Sequence, residues 1–480
     1  MIDNSFIEEV INLKQLELTE LSEKIWGYSE LSFYEQKSST LLKEYLKKEG
    51  FIIEDSISLL PTAFIASFGN KGPTIALLGE YDALPNLSQE ASLSMEKPLI
   101  SSSSGHGCGH NLLGVGSLAA ALIVKKYLEV NNIEGTIKYF GCPAEEIGSG
   151  KTFMVRDGFF KDVDIALSWH PSDMNCVLNI PTLANLSVFF KFTGQKSHAG
   201  ISPHLGRSAL DAVELMNIGA NYLREHVTND VKFHYAYIDT GGTAPNVVQS
   251  NAKILYYIRA KDVNKSIEIF NRLSKIANGA ALMTETNCEI IKDKGLSNYI
   301  PNQTIGKLLN DSFIKFGAPK FDDLDINLAK KFRSSFSKAA IDSSLSQAKL
   351  FQGEDIKDLL VNKPLSTLVG PFKYINSILP GSTDVGDVSQ VVPTGQIIVA
   401  STAIGTIPHT WQFTAQSSSS IGFKGMLQAG KILADTSIIL FNNPKYIKLA
   451  KDELNKKTNG QYICPINLET LPLKNIKKGD

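Results

Sequence analysis

Residues 72–85 read GPTIALLGEYDALP, an apolar run that starts at Gly-Pro and ends on Glu80 and Asp82. The pattern predicts a strand closing in a turn, and the chain on either side alternates strand with helix. Apolar positions recur three and four apart over residues 5–26 and 36–49, which predicts two amphipathic helices. PTAFIASFG reads as a strand just before 72–85. After it come a Ser-rich loop at 86–105, a helix from about Asn111 to Glu129, a strand in GTIKYFGCP, a short helix and a strand in DIALSWHP. This order gives an α/β fold with a largely parallel sheet. Ligands of such sheets bind beyond the carboxyl ends of the strands. Glu80, Asp82, Glu145, Glu146 and His170 each stand just after an apolar run, where that site would form.

The texture changes near Pro181. LANLSVFFKFTG, a helix over SPHLGRSALDAVELMNIGANYLREHV, then KFHYAYIDTGG, NAKILYYIRAKD and a second helix over NKSIEIFNRLSKIANGAALM predict a small α+β domain. The expected organisation is one α/β domain made of residues 1–182 and 298–480, with 183–297 inserted. A Lys/Ser-rich region at 319–365 carries no pattern that assigns it, and no internal repeat is visible.

Composition narrows the function. The 480 residues are 43% hydrophobic and 20% charged with a formal net charge of -1, which excludes a basic face for nucleic acid. The longest apolar stretch, IIVASTAIGTI, is too short for a membrane span, and the N-terminus lacks the layout of a signal peptide. A cytoplasmic protein is expected. Five scattered cysteines, an odd number, argue against a disulfide framework and suit a reducing compartment.

The chemistry concentrates in SSSSGHGCGHNLLG, residues 101–114. Cys108 and His110 flank one glycine and can reach one point, as a metal site or as a nucleophile with its base; a structural glycine turn is the third reading. Glu145 and Glu146 are adjacent, His170 follows Trp169, and His409 follows IIVASTAIGTIP. Sulfur, imidazole and carboxylate together suit zinc and its neighbours better than magnesium or calcium. Two adjacent glutamates can divide metal binding and proton transfer. A cysteine-nucleophile enzyme leaves the glutamates and two histidines idle. A phosphate loop fails because no GxGxxG or Gly-Lys-Ser/Thr is completed.

GEYDALP, GHGCGHNLLG, PAEEIGSGK, SWHP, KSHAGISPHLGRSALDAVELMN, GGTAPNVVQSNAKILYYIRA, GSTDVGDVS and PHTWQF, in that order, span nearly the whole chain. In them the chain resembles the metal-dependent amidohydrolases of the aminoacylase and glutamate carboxypeptidase superfamily. The resemblance implies a catalytic domain holding two divalent metals, zinc or manganese, and an inserted lid domain that makes a homodimer. It implies Cys108, His110, Glu146, His170 and His409 as metal ligands, with the Cys108 thiolate between the metals. Glu145 matches the general base and Asp82 the acid that orients a histidine ligand. His198 matches a lid histidine that supports the oxyanion, and Asn246 and Arg259 match positions that hold the substrate. His106 has no ligand role in it, and Asp384 and Asp387 are expected only in the site wall. Two positions depart from the pattern: Glu80 stands where many relatives have aspartate, and Asn111 where many have an acid. The implied reaction is amide hydrolysis of an N-acyl amino acid, p-aminobenzoyl-glutamate foremost. A dipeptide substrate is the near alternative, and a mainly binding role beside a paralogous subunit is an alternative of another class.

Overall fold

The computed structural model describes residues 4–55 and 57–472. The chain forms two compact units. One comprises the chain up to Ile180 together with Ile300–Ser377 and Val388–Tyr462; the other comprises Pro181–Tyr299 with Ile378–Asp387 and the segment from Ile463.

The first unit is built on seven strands: β1 (Ile52–Asp55), β2 (Phe64–Phe68), β3 (Thr74–Glu80), β4 (Thr136–Cys142), β5 (Ile165–Ser172), β6 (Cys176–Val177) and, after the strands of the second unit, the strand Thr394–Ala400. The central four run parallel in the order β4, β3, β5, Thr394–Ala400, and antiparallel pairs close both flanks. Every residue of β3 is buried, as expected for a strand covered by helices on both faces. Helices His110–Asn131 and Ser420–Asn442 pack together, and Leu77, Leu113, Trp169, Val399 and Leu433 join one core with the N-terminal helix Asn4–Tyr28. The parallel order puts the ends of β3, β4, β5 and Thr394–Ala400 on one edge, so the polar residues after them arrive together.

The second unit has four antiparallel strands: β7 (Ala184–Thr193), β8 (Lys232–Asp239), β9 (Asn251–Ala260) and β10 (Asn287–Leu296), in the order β10-β7-β9-β8. With these numbered, Thr394–Ala400 is β11. Ala252, Ile254, Tyr256, Ile258 and Ala260 alternate along β9 and are buried in one core with helices Ala209–Leu223 and Val263–Met283.

Three details differ from the sequence reading. The helix expected from Ser202 starts at Ala209, because Ser208 caps it by accepting from Asp211 N; Pro203–Leu205 is a separate 3-10 turn, and Arg207 bridges Gln195 in extended form. The unassigned stretch 319–365 holds three helices, Asp323–Arg333, Lys338–Gln352 and Glu354–Leu360. Strand β1 is short and mostly exposed, so it lacks the apolar run that marks β3 and β4.

Candidate metal centre

The GHGCGH turn is set by backbone geometry. Gly109 has φ of 74° and precedes the first residue of helix His110–Asn131, a conformation glycine adopts without steric cost. A Cβ there would lie 2.8 Å from Pro171 Cγ and 2.9 Å from Phe413 Cε1. Gly109→Ala should therefore destabilise the fold by about 1–3 kcal/mol, read from the midpoint of denaturant unfolding. The Gly107 carbonyl accepts from His409 N at 2.9 Å and ties the turn to the loop after β11. His409 itself sits at φ 62°, a left-handed conformation uncommon away from glycine, so this contact fixes a strained residue.

The PAEE turn is anchored likewise. Glu35, fully buried, accepts from Phe33 N at 2.9 Å, Ala144 N at 2.9 Å and Thr62 Oγ1 at 2.8 Å. It thereby holds Ala144 at φ 59°, one residue before Glu145.

Asp82 joins three segments. Its Oδ1 lies 2.8 Å from His110 Nδ1, and its Oδ2 accepts from Ser32 Oγ at 2.8 Å and Glu146 N at 3.0 Å. A carboxylate on Nδ1 leaves His110 Nε2 as the atom facing the site. The His170 Nδ1 is likewise 2.8 Å from the Pro171 carbonyl, and His170 Nε2 faces Cys108 Sγ at 3.4 Å. His409 Nε2 is 3.3 Å from Glu146 Oε2, and His110 Nε2 is 3.9 Å from Glu146 Oε1.

Taking one ligand atom from each residue, three overlapping groups lie within 4.8 Å: Cys108, His110 and His170; Cys108, Glu146 and His409; and Glu80, His110 and Glu145. The fit to a metal is tested by two of them. His110 Nε2 and Glu146 Oε1 are buried and have no hydrogen-bond partner. Buried polar atoms seldom lack one, and His110 and Glu146 each stand in a group with donors of the zinc type.

Charge follows from this crowding. Burial, then the nearby Glu146, push the Cys108 thiol well above its usual range. Burial raises Glu146 to about 7, against the pull of His110. Burial works against the His110 imidazolium, but Cys108 and Asp82 hold its pKa well above the ordinary value. Burial and the His110 charge depress His170 to about 4. Burial also opposes the Asp82 carboxylate, yet His110 brings it down to about 2.

Cys108, His110, Glu145, Glu146, His170, His409 and Asp82 all belong to the first unit; His198, Asn246 and Arg259 belong to the second. His198 Nδ1 accepts from Gly200 N and Ile201 N, both at 3.1 Å, so its Nε2 carries the proton and is a donor. Ala199 N bonds to the Asn246 carbonyl, and Arg259 Nη1 donates to Ser382 Oγ at 2.8 Å. His106 Nε2 meets the Ile25 carbonyl, and Asn111 Nδ2 donates to Ser22 and Ser417, so both tie the turn to the fold. Asp387 accepts from Ser297 N at 2.9 Å and from Ser297 Oγ at 2.7 Å in the second unit. Sequence reasoning missed Ser32, Glu35 and Lys151. Lys151 follows a Gly-Ser-Gly turn and reads as a surface residue, yet its side chain is 0% exposed.

Residues 76–409 match the model of peptidase family M20/M25/M40. The chain belongs to that family. Over 475 residues it is 42% identical to one of the subunits of p-aminobenzoyl-glutamate hydrolase from Escherichia coli (strain K12), covering 98% of this chain and 99% of the relative. It is 28% identical over 459 residues to Xaa-Arg dipeptidase of Mus musculus, covering 92% and 90%. Among solved structures, a dinuclear metal binding peptidase of the M20 family from Bacillus subtilis superposes with a TM-score of 0.54 at 15% identity, covering 92% of this chain and 99% of that one. The aminobenzoyl-glutamate utilization protein from Klebsiella pneumoniae does so with 0.53 at 18%, covering 68% and 90%. At these identities the two structures speak for the fold. As a member of this family the chain is a hydrolase of amide bonds, and its described residues include no helix long and apolar enough to cross a membrane.

Proposed function

We propose that this hydrolase cleaves the amide of an N-acyl amino acid, p-aminobenzoyl-glutamate foremost, giving p-aminobenzoate and glutamate. The observation that carries the reading is the intact cluster in a chain that matches the E. coli hydrolase chain almost end to end. Cys108, His110, Glu146, His170 and His409 would hold two divalent ions, zinc or manganese, and Cys108 belongs to both candidate donor groups. Bound there, the ions supply Lewis acidity to the amide carbonyl and lower the pKa of water. Glu145 takes the proton of the attacking water and returns it to the leaving nitrogen. Asp82 keeps His110 in the required tautomer. The Nε2–H of His198 supports the developing oxyanion, Asn246 holds a backbone oxygen, and the Arg259 guanidinium pairs with the free carboxylate.

Segment 183–297 serves in this reading as lid and dimerisation module. Strand β8 is one edge of its sheet and exposes Tyr235, Tyr237 and Ile238, a surface suited to a second copy. The scattered thiols suit the cytoplasm. A second reading, a chain that mainly binds beside a paralogous subunit, draws on the E. coli relative's being named as a subunit; the complete donor set speaks against a dead site.

Uptake of metal depends on pH with a definite sign. Without metal, Glu146 keeps its proton up to about 7, and the raised Cys108 and His110 keep theirs beyond their usual ranges. Ligation needs the deprotonated forms, so binding releases protons and weakens as pH falls. Calorimetry at pH 7 in two buffers of different ionisation enthalpy should show net proton release; none would contradict the ligand assignment.

The substrate reading is tested by comparing kcat/KM for p-aminobenzoyl-glutamate, hippurate and Xaa-Arg dipeptides. Preference for the glutamate conjugate is expected. Arg259→Met should raise KM for it by about 10- to 100-fold, the loss of one bidentate charge pair. A dipeptide preferred by tenfold or more would move the assignment to a dipeptidase.

A further inference from the structure

Glu80 closes β3 at the edge where the candidate ligands collect, and its two oxygens face different partners. Oε1 lies 2.6 Å from Lys151 Nζ, and Oε2 lies 3.3 Å from His110 Nε2. All three side chains are buried. Burying an ammonium costs several kcal/mol unless an anion accompanies it, so Lys151 on helix Gly150–Arg156 and the carboxylate of Glu80 belong together.

The second oxygen is the informative one. His110 Nε2 is buried and has no hydrogen-bond partner, although Glu80 Oε2 is so near. Two nitrogen or oxygen ligands on one tetrahedral ion lie about 3.4 Å apart, the spacing found here and again between His409 Nε2 and Glu146 Oε2. Glu80, His110 and Glu145 also each offer one ligand atom to a group whose atoms lie within 4.8 Å of one another.

We propose that Glu80 is a further protein ligand, acting through Oε2 alone, of the ion that His110 would hold. Lys151 pins Oε1 and keeps the carboxylate from binding through both oxygens. The inference rests on the metal reading of the site. It gives each ion one glutamate, Glu80 on one side and Glu146 on the other, and lowers the net charge of the site by one. A lysine-backed carboxylate also explains a buried ion pair that no step of the hydrolysis uses.

The test is titration of the metal-free protein with cobalt(II), reading stoichiometry by elemental analysis and coordination by visible absorption. Glu80→Gln should weaken one of the two cobalt sites at least about tenfold and alter its absorption, leaving the other as in the wild type. The double variant Glu80→Gln/Lys151→Met leaves no unpaired buried charge and should lose the same site, which separates lost ligation from a misfolded single variant. Two wild-type cobalt sites with unchanged absorption in both variants would overturn the proposal and leave Glu80 as the partner of Lys151 only. Wild-type protein that takes up no cobalt would overturn the metal reading itself, a different failure.

Discussion

Glu145→Gln should lower turnover by about 10²- to 10⁴-fold, the range for removing a general base, while KM and metal content stay as in the wild type. Glutamine keeps the shape and loses the proton acceptor. Glu145 follows Ala144, whose amide is fixed by Glu35, and the neighbouring Glu146 amide is fixed by Asp82, so the substitution leaves the turn anchored on both sides. Elemental analysis beside steady-state kinetics separates this residue from its neighbour: Glu146→Gln should lose metal as well as activity. Turnover within a few-fold of wild type in Glu145→Gln would remove Glu145 as the base.

Cys108→Ala should do more damage still. Cys108 belongs both to the group with His110 and His170 and to the group with Glu146 and His409, so one substitution strips a donor from both candidate ions. Expected are a loss of affinity of at least about 100-fold for each, more than the 10- to 100-fold typical of a residue behind the ligands, and turnover below about one per cent. His409→Ala, which touches one group, should weaken one ion and spare the other. Two tightly held ions in Cys108→Ala would show that the thiol is a packing residue, which its burial alone would also permit.

The residues that made the site legible are those whose chemistry forces a backbone feature. The paired glutamates and His170 sit at or near strand ends, which a parallel sheet gathers, and Gly109 sets the turn that opens the helix at His110. Asp82, Cys108, His110, Glu145, Glu146, His170 and His409 were therefore readable as a set from the chain alone. Lys151 was not, because a lysine after a Gly-Ser-Gly turn carries no sign that a buried carboxylate awaits it. Nor was Glu35, whose value lies in accepting two backbone amides far apart in sequence. The helices at 323–360 were hidden for a different reason. Their buried face is narrow and partly built of Ala and Ser, such as Ala329, Ala340, Ser344 and Ala348, which leaves a weak apolar period. Asp322 and Asp325 form a capping box at the first of them, a start signal that could have been read.

The most direct test of the central claim, amide hydrolysis at a metal site, is release of p-aminobenzoate from p-aminobenzoyl-glutamate by protein first stripped with a chelator. The account predicts no release from the stripped protein and recovery on adding zinc or manganese, with one glutamate formed per p-aminobenzoate. Full turnover in the stripped protein, abolished by alkylating Cys108, would contradict it and make the thiol the nucleophile.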